Sequence, residues 1–114
     1  MSYTSEESMA KYLVAGSYTP DGIPGLMEDG GTGRVEKVTR MVEGLGGKIE
    51  AFYYGFGDHD VYLIVDLPDH ESATAISMAV NASGTVVLST TVLITPEQMD
   101  AAARKAVDYR APGD

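Results

Sequence analysis

The sequence predicts an α+β fold, with four antiparallel strands in one sheet and helices laid across one of its faces. Two observations carry this. Residues 51–66 read as two strands back to back, an aromatic one ending near Phe56 and an aliphatic one starting near Asp60, joined by Gly57, Asp58 and His59. Aromatic and β-branched runs bounded by Gly and Asp are the signature of a hairpin. Both strands are also apolar at odd and even positions alike, which a sheet with one wet face does not tolerate. One face is therefore expected under the chain's own helices and the other against a second copy of the sheet.

The remaining elements follow in order. Residues 11–19 form a β-rich run closed by the turn residues Pro20, Asp21 and Gly22. The segment 20–31, rich in Gly, Pro and acid, reads as a long covering loop, because connections of this length are often lids or binding loops. A helix is expected from Thr32 as N-cap, with Val35, Val38, Val42 and Leu45 on its apolar face, a solvated face at Glu36, Lys37, Arg40 and Glu43, and a stop at Gly46 and Gly47. After the hairpin, Asp69 caps a second helix carrying Ala73, Ile76, Ala79 and Val80, which ends at residues 81–84. A fourth strand spans 85–95. Thr95, Pro96 and Gln98 then make a capping box with proline in the first turn, opening a helix expected to reach Tyr109. The order βαββαβ is ferredoxin-like, with an extra C-terminal helix. Right-handed crossovers put the first two helices on one face.

At 114 residues the chain makes one domain, expected over 9–110, with flexible tails at 1–8 and 111–114. The absence of cysteine excludes disulfides, thiolate metal sites and cysteine nucleophiles. A formal charge of −9 opposes binding to nucleic acid or to an anionic membrane surface. No apolar run approaches the ~20 residues of a membrane helix, and residues 1–8 lack the character of a signal peptide. A cytoplasmic protein is the expectation.

Several local patterns together resemble the GYD domain proteins. They are Lys11-Tyr12-Leu13, Ser17-Tyr18-Thr19 with Gly22, the run from Phe56 to Val61, the run from Val80 to Gly84, and Thr91-Val92-Leu93 followed by Thr95-Pro96-Glu97. The resemblance covers nearly the whole chain after residue 9. It implies a small bacterial protein with the dimeric α+β barrel fold and a pocket between sheet and helices. Relatives by fold include cofactor-free antibiotic-biosynthesis monooxygenases, haem-degrading and haem-binding enzymes, and muconolactone isomerase-type proteins. It implies no established activity, and fold kinship does not assign one. Where the family usually has a Tyr before the Asp of the hairpin, this chain has His59, whose imidazole can donate or accept in its place.

The topology gathers the residues with chemistry to offer at one edge of the sheet: Ser17 to Thr19, residues 20–31, Thr32, Arg34, Asp58 to Asp60, and Asn81 to Ser83. His59 and His70 fall at opposite ends of strand three, about 25 Å apart, so they share no metal, and no metal site is assigned. Gly30, Gly31 and Gly33 before Arg34 could cradle an anion, but the pattern lacks the ending of a P-loop and reads first as a hinge. The leading functional expectation is a small-molecule pocket, with Tyr18, Arg34 and Asn81 as binding residues and His59 as general base should it be an enzyme. Whether it is one stays open, as does any cofactor. The alternatives are a non-catalytic oligomeric module and a haem or metal carrier through His59. Self-association into a homodimer or larger homo-oligomer is expected in each case.

Overall fold

The computed structural model describes residues 9–114; the tail expected over 1–8 lies outside the described residues. Four strands, β1 (Ala10–Tyr18), β2 (Lys48–Tyr54), β3 (Val61–Leu67) and β4 (Val86–Leu93), form one sheet in the order β2-β3-β1-β4. Every neighbouring pair is antiparallel. Helices α1 (Ile23–Gly44) and α2 (His70–Ala82) make the crossovers, and α3 (Pro96–Ala103) follows. This is the expected ferredoxin-like α+β fold.

Register decides what the two faces of the sheet are made of. Tyr12, Val14 and Gly16 pair with Val65, Leu63 and Val61 of β3, and Phe52 of β2 pairs with Leu63. Paired residues share a face, so this set points together toward α1 and α2. With Val42 of α1 and Ala73 of α2 it forms the core, where Tyr12, Val42 and Leu67 are each 1 % exposed. The alternate positions, Leu13, Ala15, Tyr62, Ile64, Tyr53 and Val87, fall on the opposite face. There Tyr53 and Val87 are 71 % and 59 % exposed, so the alternation of the sequence leaves an apolar face that the described residues do not cover. Near one end of that face Lys11 bridges Asp66 at 2.8 Å and also bonds Glu50, which a register shift in β2 sets between Ile49 and Ala51.

Two elements differ from expectation. Residues 23–31 are not a covering loop, because α1 starts at Ile23 and Thr32 lies inside it. Pro24 in the first turn supplies a pre-set helical φ, and Ile23 and Leu26 donate backbone bonds to Thr19 and Gly22. The glycines that suggested a loop act at one point, where Gly30 takes the non-helical values φ 74°, ψ 166° and divides α1 into two helical stretches that meet at a kink. Only glycine holds that conformation without strain. Helix α3 has its capping box, with Gln98 N donating to Thr95 Oγ1 at 3.0 Å and Thr95 N to Gln98 Oε1 at 2.7 Å, but it ends at Ala103. Every residue from Ile94 to Asp114 is exposed, so among the described residues nothing buries the small-residue stripe of α3. A helix without tertiary contacts extends little beyond its cap. Among the described residues no helix is long and apolar enough to cross a membrane.

Candidate functional site

Between the helix-facing side of the sheet and the two covering helices lies a cavity of about 200 Å³. Its walls are Tyr12, Val14, Leu63 and Val65 of the sheet, Val38 and Val42 of α1, and Ile76 of α2. Val38, Met41 and Val42 on α1 and Ala73, Ile76 and Val80 on α2 all line the cavity. An engineered apolar cavity of about 150 Å³ admits benzene. This one has room for a single ring with a short chain.

Polar character enters at the edge where β1 ends. Tyr18 and Arg34 line this cavity and also a shallower one beside Asp21, Gly22 and Asp29, so the two side chains form a shared wall. Arg34 and Lys37 sit one helical turn apart, after the Gly30 kink. Asp29 meets both of them, 2.9 Å from Lys37 Nζ and 3.6 Å from Arg34 Nη1. The hydrogen bond from Lys37, aided by Arg34, holds the Asp29 carboxyl below its usual range despite some desolvation. Arg34 Nε is buried and has no hydrogen-bond partner. Tyr54 donates to the Gly31 carbonyl at 2.9 Å, closing the backbone just past the kink. Burial and the neighbouring Tyr18 push the Tyr54 hydroxyl above its ordinary pKa.

At the other end Tyr12 reaches out of the core to His70, with 2.6 Å between its hydroxyl and Nδ1 and the two rings edge to face at 5.8 Å. Burial, followed by the charges of Asp69 and Glu71, raises the Tyr12 hydroxyl.

A sequence model of the GYD domain matches residues 12–103. The chain belongs to the GYD domain family. No curated protein and no solved structure matches it. The match runs from β1 through α3 and therefore includes every wall of the cavity.

Of the four residues singled out in this GYD domain from sequence, the fold brings Tyr18 and Arg34 together at the cavity. It takes His59 and Asn81 elsewhere. The His59 ring lies 3.3 Å from Ser17 Oγ and edge to face with Tyr62 at 5.9 Å. Both neighbours belong to the uncovered face, so the sheet stands between His59 and the cavity. Asn81 is a strut: its Oδ1 accepts from Leu88 N at 2.8 Å and its Nδ2 donates to Ser77 Oγ at 3.2 Å. It thereby satisfies a backbone donor on β4, which is an edge strand. Asp60 also serves the backbone, accepting from Tyr18 N at 2.9 Å. Among the described residues no three His, Asp or Glu side chains gather as metal ligands.

Sequence reasoning missed Lys37 and Tyr12 as lining residues. Lys37 was legible in part, since Arg34, Lys37, Val38 and Met41 follow i, i+3, i+4, i+7 spacing and so share one helical face. Its long stem lies along that face while its ammonium reaches Asp29.

Proposed function

We propose that this GYD domain binds a small, largely apolar molecule between its helices and sheet, and that it does so as a homodimer or larger homo-oligomer. The observation that carries the first part is the apolar cavity of about 200 Å³ with Tyr18 and Arg34 at its rim. Apolar walls with a few convergent polar groups are the usual character of a ligand site. The reading is one of binding, because the titratable groups lining the cavity among the described residues are Tyr12, Tyr18, Arg34 and Lys37. Support for self-association comes from the uncovered face of Leu13, Ile64, Tyr62, Tyr53 and Val87, together with the exposed Met99, Val107 and Tyr109 beyond β4. Apolar patches of this kind mark interaction surfaces.

Indole tests the cavity. Titrated into methyl-labelled protein, it should shift the resonances of Val14, Leu63 and Val65, and Val38→Phe, which fills the space, should abolish the response. Unshifted methyls in the unaltered protein would defeat the reading. Sedimentation of a dilute sample tests the assembly, and a lone subunit that stays dissolved counts against it.

A further inference from the structure

We infer that the ligand is a carboxylate on a small apolar body, with Arg34 as its anchor and Lys37 as the supporting charge. The inference rests on the pocket reading above and specifies what the pocket takes. Acidic residues outnumber basic ones 17 to 8 in this chain. The cavity lining inverts that balance, because among the described residues it includes both Arg34 and Lys37 and no Asp or Glu. One carboxylate, Asp29, serves the two cations from outside the cavity, at 2.9 Å from Lys37 and 3.6 Å from Arg34. Asp21 and Asp29 lie on the far side of Arg34, in the shallower cavity, so the two cations are the charged groups that border the apolar one.

The Arg34 fork sets the geometry of recognition. Asp29 takes the Nη1 end, and Nε is buried with no partner. A buried donor on a charged group left without an acceptor is costly, and a turn of the side chain that brings it to a ligand oxygen relieves that cost. A guanidinium edge carries two parallel N–H groups, the arrangement that meets both oxygens of a carboxylate side by side. Tyr18 borders the same opening. Beyond it the walls are aliphatic, with Val14, Leu63 and Val65 ready to receive a ring or branched chain.

Three matched probes test this by methyl-resonance titration at neutral pH: 3-phenylpropionate, 3-phenylpropanamide and 3-phenylpropylamine. The acid should bind about tenfold more tightly than the amide, the advantage expected of a charge-assisted hydrogen-bond pair, and the amine should bind weakest. Arg34→Gln should remove most of the acid's advantage over the amide. Arg34→Lys, which keeps the charge but loses the fork, should retain only part of the preference and remains informative should the glutamine variant fold poorly. Equal affinities for acid and amide, or a preference that survives Arg34→Gln, overturn the carboxylate inference and leave the pocket standing. Unmoved Val14, Leu63 and Val65 methyls with all three probes overturn both.

Discussion

Alanine at Gly22 and alanine at Gly25, three residues apart at the start of α1, should move stability in opposite directions. At Gly22 a Cβ would lie 2.0 Å from the Thr85 carbonyl oxygen and 2.8 Å from its carbon, where ordinary contact begins at 3.4 Å. The helix start and the approach to β4 would have to part by about 1.4 Å, the difference between 3.4 and 2.0 Å. That Thr85 oxygen also accepts from Thr19 N at 3.0 Å, so the same movement pulls on the bond that ties β1 to β4 at this edge. Overpacking strain of ~1–3 kcal/mol with ~1 kcal/mol for the weakened hydrogen bond gives a loss of about 2–4 kcal/mol. In a chain of this size that is a Tm drop of about 8–16 °C. A Cβ at Gly25 meets nothing within 4 Å. There alanine should gain up to about 1 kcal/mol of helix propensity, raising Tm by about 2–4 °C. Thermal melts followed by circular dichroism read both. If Gly22→Ala melts within about 2 °C of the unaltered protein, the close seating of α1 on the Thr85 backbone is wrong, and so is the argument that glycine is required there.

Asp69 caps α2 by accepting from Ser72 N at 2.8 Å, and the Ser72 hydrogen bonds hold its pKa below 3.8. Its stabilisation is therefore present above pH 3.8 and lost as pH falls through the folded value, so Asp69→Ala should lower Tm at neutral pH and flatten the acid limb of a Tm-against-pH curve. Tyr12 behaves in the reverse sense. Its folded pKa lies above 10.0, so the unfolded chain gives up that proton first and stability falls as pH rises past 10. Tyr12→Phe should soften that alkaline decline while costing about 1 kcal/mol at neutral pH through the lost bond to His70, as urea titrations at the two pH values would report. Val42 is 1 % exposed and borders the cavity. Val42→Ala removes two methyl groups worth about 2 kcal/mol including the space left behind, and should let indole bind more tightly by the same methyl titration.

Element type and order were legible in the sequence because they rest on local rules. The two-sided apolar character of residues 61–67, the Asp69 and Thr95 caps and the glycine stop at Gly46 each state a backbone preference that the fold respects. The first half of α1 was not legible, since Pro24, Gly25, Gly30 and Gly31 are the residues of a turn as readily as of a kinked helix. What made it helical was long-range: the Gly22 backbone seated on Thr85 and the Tyr54 hydroxyl bonded to Gly31.

The candidate site divides in the same way. The up-and-down order of the elements put His59 and Tyr18 at the same edge of the sheet, but which side of the sheet each serves depends on strand register. His59 turns to Ser17 and Tyr62 on the uncovered face, while Tyr18 lines the cavity on the other. Asn81 was placed at the right end of α2, yet its amide is committed to the Leu88 backbone by the distance to an edge strand. By itself, then, the chain determined its secondary elements, their order and the presence of two apolar sheet faces, because these follow from residue periodicity and capping. Only the tertiary structure decided that Arg34 and Lys37 share one carboxylate at the rim of an apolar cavity. That arrangement depends on the axis α1 takes after Gly30 and on which strands it crosses, and no local preference encodes either.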